Sequence, residues 1–307
     1  MSSIRIALVG LGKIARAQHV PALAADEGFE LVAAASPNQR LDGVPNFPSI
    51  EALLAGLPLL DAVAICTPPQ VRYDIARLAL EHGKHVLLEK PPGATLNEVH
   101  SLVELAERRR VALFATWHSR AAAAVEPTRR LLAERRLAGV AVTWKEDVRV
   151  WHPGQEWIWK AGGLGVFDPG INALSLLTLV LPGPLILRDA RLAFPSNCEA
   201  PIAGSLEMQC NGKPVHMEMD FRQPGPPSWD INIATAEGPI RLSKGGAVLQ
   251  VGHDAPVEAP DREYAKLYET FGNLVWARRI EVDCAPLRLV ADAFLCGRRT
   301  IVEPFLP

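Results

Sequence analysis

Between residues 4 and about 117, short runs of Val, Ile, Leu and Ala alternate with longer runs whose apolar residues recur at helical spacing. The short runs are "IRIALVG", "FELVAAAS", "DAVAIC", "HVLLEK" and "ALFAT"; the longer ones include "SIEALLAG" and "RYDIARLALEHG". Strands this uniformly apolar, each followed by an amphipathic helix, predict a parallel sheet covered on both faces. After about residue 120 the rhythm changes. The strand candidates "GVAVTWKEDVRV", "LILRDARLAF", "AGSLEMQC", "VHMEMDF", "WDINIAT" and "AVLQVG" now follow one another, separated by turn signals such as "CNGK" and "AEGP". That order predicts an open, mostly antiparallel sheet. One helix over 168–181 sits among these strands, and "REYAKLYETFGNLVWARR" and "PLRLVADAFLCGRR" close the chain as helices. The expected class is α/β: a doubly wound parallel domain over 1–118, then an α+β domain over 119–307, with a closing helix able to pack back on the first.

Size and charge narrow the class of partner. A chain of 307 residues with 49% hydrophobic composition has room for two ordinary cores. The formal charge of −2, from 32 basic and 34 acidic residues, gives neither a nucleic-acid footprint nor a membrane-seeking surface, so a small molecule is the expected partner. Five widely spaced cysteines, with no pair two residues apart, read as reduced thiols rather than a metal or disulfide framework. No metal site is expected. No basic n-region precedes the opening apolar run, and the long uncharged stretch 171–187 is broken by Pro182, Gly183 and Pro184; the expected location is the cytoplasm.

In "GLGKIA", Gly10, Gly12 and Ala15 follow a strand and open a helix, the context in which such glycines cradle a pyrophosphate. Gly10 permits the turn, Gly12 lets the backbone approach the phosphates, and Ala15 lets helix and strand pack closely. The phosphates then meet helix N–H groups and the positive end of the dipole. This is the Rossmann reading, with Lys13 and Ile14 at the loop. The competing reading is a glycine-rich turn with no ligand. The second strand ends in "AAASPNQR" without the acidic residue that binds the ribose 2′-hydroxyl of NAD. Glu30 lies at the start of that strand. Ser36 at its end and Arg40 beyond it favour NADP, while leaving NAD admissible. Arg40 as a solvated loop residue is the alternative. Thr67 and Pro68, after "DAVAIC", and Glu89, at the end of "HVLLEK", complete the expected cofactor set.

The segment "HVLLEKPPG" places Lys90 at the carboxyl end of a strand, the edge where open parallel sheets bind ligands, and the following Pro91 is a candidate for a cis peptide. Together, "GLGKIA", "EKP" and a nucleotide-type domain followed by an open sheet resemble the glucose-fructose oxidoreductase and inositol dehydrogenase family over essentially the whole chain. "QHVPAL", "ATWHSR", "WKEDVR", "WHPGQEWIW" and "GGLGVFDPGINALS" look like its L-arabinose and D-galactose 1-dehydrogenase branch. The resemblance implies oxidation of an aldose at C1 to its lactone, with hydride passing to NAD(P)+. It places Lys90 beside the nicotinamide and the C1 hydroxyl, and it implies a homodimer paired through the open face of the second sheet. The family's second motif has an aspartate and, four residues later, a histidine. Here those positions are Asp168 and Asn172.

Asparagine has no group that titrates near neutrality, so removal of the C1–OH proton falls to Asp168 or Lys90. Lys90 next to an oxidised nicotinamide is expected to lose its proton more readily. Asp168 and Asn172, four apart, share a helix face and can both address a sugar. The competing reading makes Asp168, followed by Pro169, a helix N-cap. For the sugar itself the candidates are His118, Glu146, Trp151, His152 and Trp229, because a pyranose offers C–H faces to indoles and hydroxyls to polar groups. Trp157 and Trp159 crowd the same segment as Trp151, and packing competes with stacking for all of them. Strand alternation puts Glu146 inward with Trp144 and Val148, and Asp147 toward solvent. Two rivals to the aldose reading stand: a dehydrogenase of another polyol or cyclic diol, and a non-catalytic NADP-binding sensor.

Overall fold

The computed structural model describes residues 3–306. The chain falls into two compact units. One comprises the chain through His118 together with Glu263–Cys284; the other comprises Ser119–Arg262 together with the chain from Ala285 onward. The first closing helix, Glu263–Ala277, thus belongs to the first unit. The second, Ala285–Cys296, belongs to the second unit and packs on helix Phe167–Val180.

The first unit is built on an all-parallel, seven-stranded sheet. Ile4–Val9 lies between Phe29–Ala35 and Ala62–Ile65, and His85–Leu88 and Leu113–Ala115 extend the sheet on the latter side. The chain order reverses beside the first strand, the topological switch point where such sheets bind ligands at their carboxyl edge. Two edge strands of two residues each, Asn46–Phe47 and Ile280–Glu281, escaped the sequence reading because so short a run carries no period. Both faces are apolar. One packs on helices that include Pro69–Glu81 and Leu96–Arg109; the other packs on Tyr264, Leu267, Tyr268, Phe271 and Leu274 of helix Glu263–Ala277.

In the second unit a nine-stranded sheet runs, in spatial order, Val257–Glu258, Val248–Val251, Ile240–Ser243, Ser228–Thr235, Leu137–Lys145, Lys213–Asp220, Ala203–Cys210, Leu185–Pro195 and Arg298–Val302. It is mostly antiparallel, with two parallel pairings: Leu137–Lys145 with Lys213–Asp220, and Leu185–Pro195 with Arg298–Val302. Helix Phe167–Val180 comes close to this sheet at Gly170, where a Cβ would run into the sulfur of Met219. Two local expectations change. "DVRV" does not continue the strand: it forms the short helix Val148–Trp151, capped by Asp147. A helix over Val125–Ala133 also precedes the first strand of this sheet. Among the described residues no helix is long and apolar enough to cross a membrane.

Candidate active site

The nucleotide end of the first unit is shaped by its glycines. Gly10 has φ of +89°, and a Cβ there would stand 2.8 Å from the backbone nitrogen of Thr67, so only glycine fits the turn. At Gly12 the Cβ direction is open, with nothing within 4 Å. That open space, ahead of a helical stretch over 13–24, fits a pyrophosphate laid against the loop. Ser36 follows the end of Phe29–Ala35, while Glu30 is the second residue of that strand and is exposed. Arg40 is exposed in the loop beyond. Arg16, which the sequence did not single out, reaches the same loop: its guanidinium donates to the Arg40 carbonyl at 2.6 Å and lies 3.4 Å from Gln39 Oε1.

The helix after the loop is not regular. Pro21 lacks the N–H that would bond the carbonyl of Ala17, and its ring crowds that turn; the chain answers with a π-helical segment, Ala15–His19, in which Val20 N–H bonds Ala15 O. His19, at the end of that segment, is fully buried. Its Nε2 is 3.0 Å from Glu89 Oε1 and its Nδ1 is 2.7 Å from the Tyr268 hydroxyl. Tyr264 donates to the same Glu89 oxygen at 2.8 Å, and Glu89 Oε2 accepts the backbone N–H of Lys90 at 2.8 Å. Burial alone would push the Glu89 carboxyl up, but the hydrogen bonds and charge of His19, the charge of His118 and the bond from Tyr264 hold it at about 2. Burial and the neighbouring Glu89 carboxylate push the Tyr264 phenol up, so it keeps its proton to donate. Glu89, expected to contact the cofactor, is therefore committed to protein partners and fixes the chain at Lys90.

Lys90 is half-buried at the carboxyl end of His85–Leu88, and the Lys90–Pro91 peptide is cis. Arg72, from helix Pro69–Glu81, donates to the carbonyls of Thr67, Glu89 and Pro91, so one buried guanidinium ties together two of the loops at the sheet edge. His118, expected at the sugar, stacks on Tyr264 with centroids 5.7 Å apart, and its Nδ1 is 2.6 Å from Glu263 Oε2. Nothing in the sequence around Arg72 marked it. The stripe Tyr264, Tyr268 and Phe271 was legible as a buried face, and its two hydroxyls called for polar partners.

The second unit gathers most of the remaining candidates. Glu146 is buried and continues the inward side of strand Leu137–Lys145; Oε1 lies 2.8 Å from His152 Nε2 and Oε2 accepts Trp229 Nε1–H at 2.8 Å. Trp229 sits opposite Trp144 across the strands and takes Trp151 edge-on, with centroids 4.7 Å apart. Trp151 is 36% exposed. Trp159 is taken up by Phe221 and Phe305, the packing alternative. Asp147 does not reach solvent as expected: it is 7% exposed, caps helix Val148–Trp151 and pairs with Arg149 at 2.7 Å. Asp168 is not an N-cap, because the helix begins at Phe167 with Val166 before it, so Asp168 lies inside the first turn. It is buried, and its Oδ2 is 3.5 Å from His152 Nδ1. One turn on, Asn172 keeps a buried Oδ1 with no hydrogen-bond partner among the described residues.

In the first unit, a glycine cradle with room for phosphates and a lysine at the carboxyl edge of a parallel sheet define a nucleotide-binding framework; the second unit holds a buried carboxylate beside an imidazole. Residues 4–116 match the oxidoreductase family with the NAD-binding Rossmann fold, the GFO/IDH/MocA family. A galactose 1-dehydrogenase of Pseudomonas fluorescens is 46% identical over 306 residues, 99% of each chain. The crystal structure of a D-galactose-1-dehydrogenase from Rhizobium etli aligns with a TM-score of 0.95 at 52% identity, covering 100% of this chain and 99% of that one. A 3-ketoreductase from Actinomadura kijaniata, solved with NADP and TDP-benzene, shares the fold with a TM-score of 0.85 at 19% identity, over 98% of this chain and 100% of that one. The chain belongs to the GFO/IDH/MocA oxidoreductase family.

Proposed function

We propose that the protein is an NADP-preferring aldose 1-dehydrogenase that oxidises the anomeric C1–OH of D-galactose or L-arabinose to the lactone. The observation that carries this reading is the end-to-end similarity to proteins named for galactose 1-dehydrogenation, in a chain whose Lys90 and Asp168 fall on the family's motifs. NAD(P)+, which the Gly10–Gly12 turn would hold by its phosphates, would supply the hydride acceptor. Asp168, with Lys90, takes the C1–OH proton, since asparagine at 172 has none to exchange. Asn172 Oδ1, buried and unpaired among the described residues, is left to accept a sugar hydroxyl, and Trp151 offers an apolar face for the ring. The two aldoses share ring stereochemistry at their common carbons and differ by the hydroxymethyl group, so both are assigned. Ser36 without an acidic neighbour, and arginines at 16 and 40, favour the 2′-phosphate of NADP, with NAD as the weaker cofactor.

Initial rates with D-galactose, L-arabinose, D-xylose, D-glucose, an acyclic polyol and a cyclic diol, each with NAD+ and NADP+, test the reading. Reduction with the first two sugars and a higher kcat/KM for NADP+ is expected. Reduction by a polyol or cyclic diol alone overturns the aldose assignment, and no reduction with any of them overturns the enzyme reading.

A further inference from the structure

In the second unit, the segment after the last strand reaches back toward the site. The parallel ladder of Leu185–Pro195 with Arg298–Val302 ends at Pro195 and Val302, and Ser196 N–H extends it by one bond, donating to the Val302 carbonyl at 3.1 Å. Three residues on, Phe305 is held by one side chain. The Asn197 amide donates through Nδ2 to the Phe305 carbonyl at 2.8 Å, and its Oδ1 accepts the Phe305 N–H at 2.9 Å. A single amide thus satisfies both backbone groups of one residue, as a further ladder rung would, and fixes Phe305 where the strand has already ended.

Phe305 packs on Trp159, with ring centroids 5.3 Å apart. Trp159 meets Phe221 edge-on at 5.6 Å, and Phe221, wholly buried, meets the ring of His152 at 5.6 Å. These rings run in series from the end of the last strand to an imidazole that stands 2.8 Å from Glu146 and 3.5 Å from Asp168. The turn that carries Asn197 also grips the backbone around Trp159: Glu199 N–H donates to the Trp159 carbonyl at 2.9 Å, and Glu199 Oε2 accepts the Ala161 N–H at 2.8 Å. The loop over 152–163 is therefore held through its backbone by Glu199 and through an indole by Phe305.

We propose that Phe305, clamped by Asn197, is a positioning residue for the sugar site: by packing on Trp159 it keeps the 152–163 loop in the conformation that sets His152 between Glu146 and Asp168. The inference rests on the aldose dehydrogenase reading, in which these side chains address the sugar. The effect works through a population. With the Phe305 ring removed, the loop opens part of the time, and the apparent affinity for sugar falls in proportion to the fraction still ordered. Saturating sugar draws the loop back to the ordered form, so kcat is kept. The glycine turn for the nucleotide is built in the other unit and does not depend on this loop.

The test uses the full chain with D-galactose and NADP+. Phe305→Ala is expected to raise KM for the sugar about threefold to tenfold, the range of one aromatic pair, with kcat and the KM for NADP+ each within about twofold of wild type. Phe305→Tyr, which keeps the ring, is expected to restore the wild-type KM. A sugar KM unchanged in Phe305→Ala, or a fall in kcat at constant KM, overturns the proposal. Should that variant fail to fold, Asn197→Ala, which removes only an exposed amide, is read by the same criteria. Independently, hydrogen exchange without sugar is expected to quicken in peptides from 152–163 of Phe305→Ala while those from strand Leu137–Lys145 keep their wild-type rate. Uniform acceleration along the chain marks a general loss of stability and overturns the proposal, as does no change. Because exchange needs no turnover, it decides whether Phe305 holds the loop even where the wild type oxidises no aldose, a result that would sink the parent reading instead.

Discussion

Asp168 shows how much hangs on one residue's place in a helix. Followed by proline, it admits both a cap and a catalytic reading; the structure removes the cap by starting the helix at Phe167. A carboxylate in the first turn still gains from the helix dipole, a term of about 0.3–1 kcal/mol, small beside the role proposed for it. Asp168→Ala should therefore reduce turnover by about a hundredfold to ten-thousandfold while the melting temperature moves little. Survival of turnover with a fall of several degrees would return Asp168 to a structural role. Glu146 was legible from strand alternation alone. Asp147 was not, because the strand ends at Lys145, two residues before it, and the side chain turns to cap a helix that "DVRV", β-branched in part, does not announce. His152 beside Asp168 was beyond the sequence, since the two meet only through the fold of the second unit.

At the scale of elements, the sheet edge in the first unit is held by buried charge. Arg72 serves three carbonyls at once, and Arg72→Met would leave them without that donor. Buried groups left unpaired cost about 1–3 kcal/mol each, so a loss of at least about 3 kcal/mol is expected, read by calorimetry as a clearly lowered melting transition. An unchanged transition would show that the carbonyls find other donors. Glu89 carries a pH signature. Its carboxyl, held at about 2 against an ordinary 4.5, contributes stability that is present above 4.5 and is lost as pH falls toward 2. Glu89→Gln should be less stable than wild type at neutral pH, and acid titration of both should narrow that gap below pH 4.5. A gap constant from neutral to pH 2 would contradict the ionised network. The strand-helix alternation here was plain in the sequence because both faces of the sheet are apolar. The π-helical turn was not, although Pro21 just inside the expected helix is its cause.

Across the whole molecule, what was legible is what local chemistry dictates: parallel strands from uniform apolar runs, the glycine turn, and the mostly antiparallel second sheet from consecutive alternating segments. What escaped depends on distant pairing. The two parallel ladders in the second sheet join strands remote in sequence, and helix Glu263–Ala277 contributes Tyr264 to a carboxylate 175 residues earlier. In the proposed function, this framework moves a hydride from a sugar's anomeric carbon. The most direct measurement is turnover of D-galactose deuterated at C1 with NADP+, following both rate and the position of the label. A slower rate and deuterium at C4 of the reduced nicotinamide are expected. Reduced cofactor without deuterium, or deuterium retained on the sugar after turnover, would contradict it.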